Sequence, residues 1–302
     1  MIFRLGSISK QFTAVAILQL ADEGKLSLLD DIKKFMPELP YKETITVEHL
    51  LLHTNGIKSF TNTPDFPDKM RTDMKPMEVI ELTGNDTFEF KPGTQWNYNN
   101  TGYVMLGYII EKVAGITYEE YVNKNLFTPA GRSQSFYGSE SKIIKNRAKG
   151  YQKDGADYQN SDYISMTLPY SAGLLISTVE DLWKWNKALY SYKLIKKEWL
   201  DKAITPFVLP DGKSTNYGYG LSLGNIQGSR SIEHGGGIPG FATYAMYLPN
   251  EDVFVAMFIN CDCKSPADIS TKMAAMAIGK PYKLNTLAIT KIEGKQYTLD
   301  KN

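Results

Sequence analysis

The chain has 302 residues, 42% of them hydrophobic, enough for one large domain or two modest ones around a sizeable core. Its 34 basic residues balance 33 acidic ones for a net charge of +1, with no block of like charges, so nothing recommends nucleic acid or an anionic membrane surface as a partner. No apolar run reaches the roughly 18 residues of a transmembrane segment, and no basic-then-apolar leader opens the sequence.

The first segment, FRLGSISKQFTA from Phe3 to Ala14, leads into a helix. Apolar residues at Phe12, Val15, Ala16, Leu18, Leu20 and Ala21 keep helical spacing and Gly24 stands where a helix ends, which predicts a helix from Ser7 or Ile8 to Glu23. ITVEHLLLH predicts a short helix ending before Gly56. From there to Pro169 the chain reads as loops and helices, with KPMEVIELT, NTGYVMLGYIIEKVAG and TYEEYVNKNLF separated by Pro- and Gly-containing turns. Ser177-Thr178-Val179-Glu180 reads as a capping box in front of DLWKWNKALY.

The pattern then changes. YGYGLSLG, SRSIEH, FATYAMYL and VFVAMFIN are short β-branched and aromatic segments joined by turn residues, which predicts neighbouring antiparallel strands. VFVAMFIN is apolar at almost every position, as expected of a strand covered on both faces. Ser265, Pro266 and Asp268 supply an N-cap, a first-turn proline and an acid for a last helix running to Ile278. The expected fold class is α/β (α+β), an antiparallel sheet flanked by helices on both faces plus an α-helical lobe.

The two cysteines stand as Cys261-Asp262-Cys263, where a ring closed across one residue would be strained, so both are expected as free thiols. With only His49, His53 and His234 beside them, the chain offers too few ligands to predict a metal centre. No cofactor is expected.

Ser7 and Lys10 are three residues apart, so on a helix they share a face one turn apart. A serine hydroxyl becomes a good nucleophile when a base stands within hydrogen-bond reach, and a lysine can be that base once desolvation or positive potential lowers its pKa. A helix N-terminus supplies such potential. Alone, S-x-x-K is better read as a capping serine beside a solvated lysine; its surroundings reverse that reading. Phe-Arg-Leu-Gly-Ser-Ile-Ser-Lys-Gln-Phe-Thr-Ala resembles the nucleophile motif of the serine β-lactamase and penicillin-binding protein superfamily.

The resemblance implies two further elements, and both are present. Tyr98-Asn99-Asn100 resembles the motif of the class C-like branch in which the tyrosine shares proton traffic with the lysine and the asparagine, here Asn100, binds substrate or the lysine. SIEHGGGIPGF resembles the H-x-G variant of the third motif, His234-Gly235-Gly236, found among class C-like esterases and peptidases. By resemblance the N–H groups of Ser7 and Gly237 form an oxyanion hole, with His234 and Gly236 beside the substrate. His53, in LLLHTNGI, lies in a segment that the family carries with serine where this chain has Asn55, and reads as structural; His49 reads as an ordinary helix residue.

The likeness runs through PYSAGLLISTVEDLWKW to Gly279 and implies a β-lactamase/transpeptidase-like fold. Its sheet lobe is expected at 1–54 and 171–280, its mainly helical lobe at 55–170, and residues 281–302 read as the opening of an appended domain. The family usually has some tens of residues ahead of the nucleophile, so the sequence is expected to be a piece of a longer protein or a reading frame begun at a late methionine, with a periplasmic or secreted origin. The expected function is hydrolysis of esters or amides, among them D-amino-acid peptides and β-lactam-like compounds, through an acyl-enzyme on Ser7. The partner is a small-molecule or peptidoglycan-like substrate; the alternative is a catalytically weak penicillin-binding-type sensor or scaffold. His234 in place of the usual lysine removes a cation that would pair with a substrate carboxylate, which favours esters and D-amino-acid peptides over penicillins.

Overall fold

A computed structural model describes residues 1–84 and 88–280; the tail expected to open an appended domain lies outside the described residues. The chain begins with strand β1 (Phe3–Arg4) and a 3-10 turn, Gly6–Ser9, that runs directly into helix α1 (Lys10–Asp22). α1 is the axis of the core: Phe12, Ile17, Leu18 and Leu20 are fully enclosed, as are the polar Lys10 and Thr13. A helix apolar on most of its circumference must be covered on most sides, and α1 packs against several helices that follow it in the chain.

The short helices α2 (Val47–Leu51), α3 (Phe66–Lys69) and α4 (Pro76–Glu81) precede α5 (Asn100–Ala114), the longest helix among the described residues. α5 starts where the Asn99 side chain accepts the Gly102 N–H at 2.7 Å, and it presents Val104, Met105, Leu106, Ile109 and Ile110 to the core, all fully buried. α6 (Tyr118–Tyr121) follows, capped by Thr117, and the expected continuation through Val122–Phe127 is a π-helical turn.

Residues 136–160 depart from the expected run of loops and helices. Strand β2 (Phe136–Tyr137) is followed by a hairpin of β3 (Tyr151–Asp154) and β4 (Asp157–Asn160) around Gly155. Asp154-Gly155 between two polar runs is a hairpin signal that apolar periodicity does not register, because neither strand is buried.

After α7 (Tyr170–Gly173), strand β5 (Leu175–Ser177) pairs antiparallel with both β1 and β2. α8 (Val179–Tyr190) is capped by Thr178, whose hydroxyl accepts the Asp181 N–H; the expected cap, Ser177, is instead the last residue of β5, with its hydroxyl bonded to Arg132 and Ser135. α9 (Lys197–Ala203) leads to a four-stranded antiparallel sheet, β6 (Ser222–Ile226), β7 (Ser229–Ile238), β8 (Phe241–Leu248) and β9 (Val253–Ile259), in sequence order. Of YGYGLSLG only the end, from Ser222, joins the sheet; Tyr217 makes an isolated bridge to Ser222 across a turn that the Gly218 N–H closes on the Leu221 carbonyl.

β9 touches both α8 and the final helix α10 (Ala267–Ala277), yet most of its residues are only half-buried. It is one of the sheet's two edge strands, paired with β8 alone among the described residues. The cysteines correct the expectation of free thiols: Cys261 and Cys263 form a disulfide. The chain leaves the strand and turns at Asp262, which brings the two Cα atoms to 5.2 Å, inside bridging range.

Candidate active site

The 3-10 turn places Ser7 on the turn before Lys10, which is the first residue of α1 and fully buried. Lys10 Nζ lies 3.1 Å from Ser7 Oγ, 2.8 Å from Asn100 Oδ1 and 2.9 Å from the Ala172 carbonyl oxygen. Three distant segments thus meet on one amine: the start of α1, the first residue of α5 and the one-turn helix α7. Asn100 is itself held, its Nδ2 donating to Thr61 Oγ1 and its N–H to Ser59 Oγ. Burial lowers the pKa of Lys10 well below that of an exposed lysine.

Tyr98, just before the cap of α5, lies with its ring centre 4.8 Å from Lys10 Nζ. Its hydroxyl is enclosed without a well-formed hydrogen bond, and burial raises its pKa, with the Ser7 side chain working against the rise. The site therefore holds a readily deprotonated amine beside a phenol that keeps its proton.

His234 closes the rear of this cluster. Its Nδ1 is 2.6 Å from the Gly235 carbonyl oxygen, which can only accept, so the proton sits on Nδ1 and Nε2 accepts from the Tyr217 hydroxyl at 2.9 Å. Burial lowers the His234 pKa to about 4. Both ring nitrogens are engaged within the protein, and the residue does not line the cavity at Ser7.

That cavity has a volume of about 200 Å³. Ser7, Asn100, Thr61 and Gly237 give it a polar end, while Phe60, Phe66, Ile164, Ile238 and Pro239 make the rest apolar. No lysine, arginine or carboxylate is among the described residues lining it. Gly236 is not among them either. A Cβ on Gly236 would fall 2.0 Å from the Leu5 carbonyl oxygen and 2.4 Å from Thr243 Oγ1, so this glycine lets the segment before Ser7 lie directly on β7. Gly6, at φ +54°, completes the approach: a Cβ there would meet the Gly237 nitrogen at 3.0 Å.

Ala172, Thr61, Tyr217 and His53 have parts here that no spacing announced. PYSAGLL carried a likeness without an assigned role, although it delivers the carbonyl that accepts from Lys10.

A serine-bearing turn at the head of a buried helix, a buried lysine and a tyrosine thus lie together beside an antiparallel sheet, the arrangement of a serine hydrolase of the β-lactamase type. The Beta-lactamase family model matches residues 1–279, and the chain belongs to that family. It is 32% identical over 261 residues to penicillin-binding protein 4* of Bacillus subtilis, covering 80% of this chain and 57% of that protein. A D-aminopeptidase of Gluconobacter oxydans is 24% identical, covering 93% of this chain and 53% of that protein. The chain thus spans little more than half the length of these curated relatives. Among solved structures, the octameric penicillin-binding protein homologue from Pyrococcus abyssi superposes with a TM-score of 0.80 at 33% identity, covering 93% of this chain and 67% of that one. A D-stereospecific amidohydrolase from Streptomyces gives 0.81 at 28% identity, covering 92% and 87%. These relationships support serine hydrolase chemistry in general terms. No helix among the described residues is long and apolar enough to cross a membrane.

Proposed function

We propose that the chain hydrolyses esters and amides through an acyl-enzyme on Ser7, with Lys10 as the base. The observation that carries this reading is the environment of Lys10. A neutral amine has two N–H bonds and one lone pair; Asn100 Oδ1 and the Ala172 carbonyl can only accept, so they take the two hydrogens and leave the lone pair for the Ser7 hydroxyl. In the proposed reaction Lys10 takes the Ser7 proton as Oγ adds to the substrate carbonyl carbon. The N–H groups of Ser7 and Gly237, which border the same cavity, hold the oxyanion. Collapse breaks the bond to the leaving group, which receives the proton from Lys10 by way of the Tyr98 hydroxyl. Water, losing a proton to the same pair, then adds to the acyl carbon, releasing the acid and restoring Ser7.

The substrate reading follows from the cavity. A lining without a cation offers nothing to the carboxylate of a penicillin, whereas an uncharged ester or a D-amino-acid amide with an apolar side chain fits its composition. The names of the D-aminopeptidase and D-stereospecific amidohydrolase relatives are consistent with this class. The cleft is proposed to run between the sheet-bearing part, 1–54 with 171–280, and the mainly helical part, 55–170, and an exported location belongs to the same reading.

The purified chain should hydrolyse nitrophenyl acetate with a higher kcat/KM than nitrocefin, and Ser7→Ala should abolish labelling by a fluorophosphonate while unfolding at an unchanged temperature. Labelling that survives in Ser7→Ala moves the nucleophile elsewhere. A preference for nitrocefin restores β-lactams as the substrate class.

A further inference from the structure

We propose that His53 is a positioning residue for Tyr98, holding the backbone on both sides of it and packing against its ring; the inference rests on the reading of Tyr98 as part of the proton path. The His53 carbonyl accepts the Asn97 N–H at 3.0 Å and its Nδ1 accepts the Asn99 N–H at 3.0 Å. The residues before and after Tyr98 are therefore tied to one histidine 46 positions away from Asn99. Its ring centre lies 4.4 Å from that of Tyr98, with the planes 41° apart.

His53 is itself held in place. It follows the end of α2 in a left-handed conformation, φ +59°, which few side chains adopt. Because Nδ1 accepts, the ring proton is on Nε2, and Nε2 is enclosed without a polar partner among the rings of Trp96, Tyr98, Tyr103 and Tyr217. A phenyl ring would fill this space without burying an unpaired N–H, but it could not accept from Asn99. An asparagine could accept but could not pack against Tyr98. Histidine alone does both, and tolerating an unpaired donor is the cost of that combination.

The consequence reaches Lys10. Asn99 caps α5 and Asn100 is its first residue, so a shift at Asn99 moves Tyr98 and the Asn100 oxygen that accepts from Lys10 together.

His53→Ala removes acceptor and ring; His53→Asn keeps an oxygen near the Nδ1 position and tolerates the left-handed backbone. With nitrophenyl acetate, His53→Ala is expected to lower kcat about 100-fold and to change KM by less than about threefold, the loss typical of a small misplacement. His53→Asn should recover about tenfold of that loss, and in a Tyr98→Phe background His53→Ala should cost less than about twofold more. A role confined to folding would not produce that split: its losses would multiply with Tyr98→Phe, and multiplication overturns the proposal. So does an effect on KM alone, or an asparagine variant no better than the alanine one. Should His53→Ala not fold, the same cycle is run with His53→Asn, whose residual loss must vanish in Tyr98→Phe.

If the wild-type chain turns over no ester, the functional reading fails and His53 is judged by amide hydrogen exchange. Exchange at Asn99 should then be at least about tenfold faster in His53→Ala, with the amides of α1 unchanged. Unchanged exchange at Asn97 and Asn99 overturns the placement.

Discussion

At the scale of single residues, Lys10 is the centre of the site because nothing charged offsets its burial. Its polar neighbours are three neutral oxygens, and burial is the cause of its lowered pKa. An ammonium there is costly, whereas a neutral amine fits the acceptors available. Tyr98 is shifted in the opposite sense, as the proposed division into a base and a proton-bearing relay requires. Lys10→Ala and Tyr98→Phe should each lower turnover by about two to four orders of magnitude. In the proposed reaction both act on one proton, so the double variant should be little slower than the slower single one; ester kinetics of all three proteins decide this, and losses that simply multiply would show two independent roles. Ser7, Lys10, Tyr98 and Asn100 were all legible in the sequence because their motifs are local: each is set by a spacing of two or three residues. Ala172 and Thr61 were not, since a backbone carbonyl and a lone hydroxyl carry no pattern.

At the scale of elements, the decisive contact is between the turn bearing Ser7 and strand β7. Thr243 Oγ1 on β8 donates to the Leu5 carbonyl at 2.7 Å, and Gly236 leaves that carbonyl room against the sheet. Gly236→Ala places a methyl against fixed backbone and should destabilise the chain by about 1–3 kcal/mol, with activity falling as the turn is pushed away. Gly237→Ala, where a Cβ would meet nothing within 4 Å, should leave stability within about 0.5 kcal/mol of the parent. Urea unfolding of the two variants separates them, and equal stabilities would contradict this account of the close approach. Sequence reasoning placed both glycines at the substrate; only the three-dimensional contact separates the one that admits the backbone from the one that borders the cavity. The amphipathic helices and the four late strands were readable from periodicity, while β2 and the β3–β4 hairpin were not, because short or exposed strands have no buried face to betray them.

At the scale of the whole molecule, two buried neutral histidines make stability depend on pH. His234 titrates at about 4 in the folded chain and at about 6.5 when unfolded. Between those values the unfolded state binds more protons, so acidification favours unfolding, and stability falls as pH drops through the window. The loss for His234 alone is about 3 kcal/mol across it, and His53, lowered by burial, acts in the same direction. Melting temperature should therefore decline from pH 7 to pH 4.5, and His234→Gln should flatten the part of the decline above pH 5. A variant that melts in parallel with the parent over that range would show that His234 is not buried neutral.

The fold class and the family were readable from the sequence, because helical periodicity, strand composition and short motifs such as S-x-x-K are properties of neighbouring residues. The sequence also determined that no lysine stands at position 234. What that histidine does was decided by tertiary structure alone. Its two nitrogens are occupied by Gly235 and by Tyr217, 17 residues away, and its ring is turned from the cavity towards the cluster around Tyr98. The cysteine bridge was decided in the same way, by a chain turn at Asp262 that strand spacing does not foretell. Proton affinities belong to this second group as well: a lysine that gives up its proton and a tyrosine that keeps it follow from burial, which only the assembled core sets.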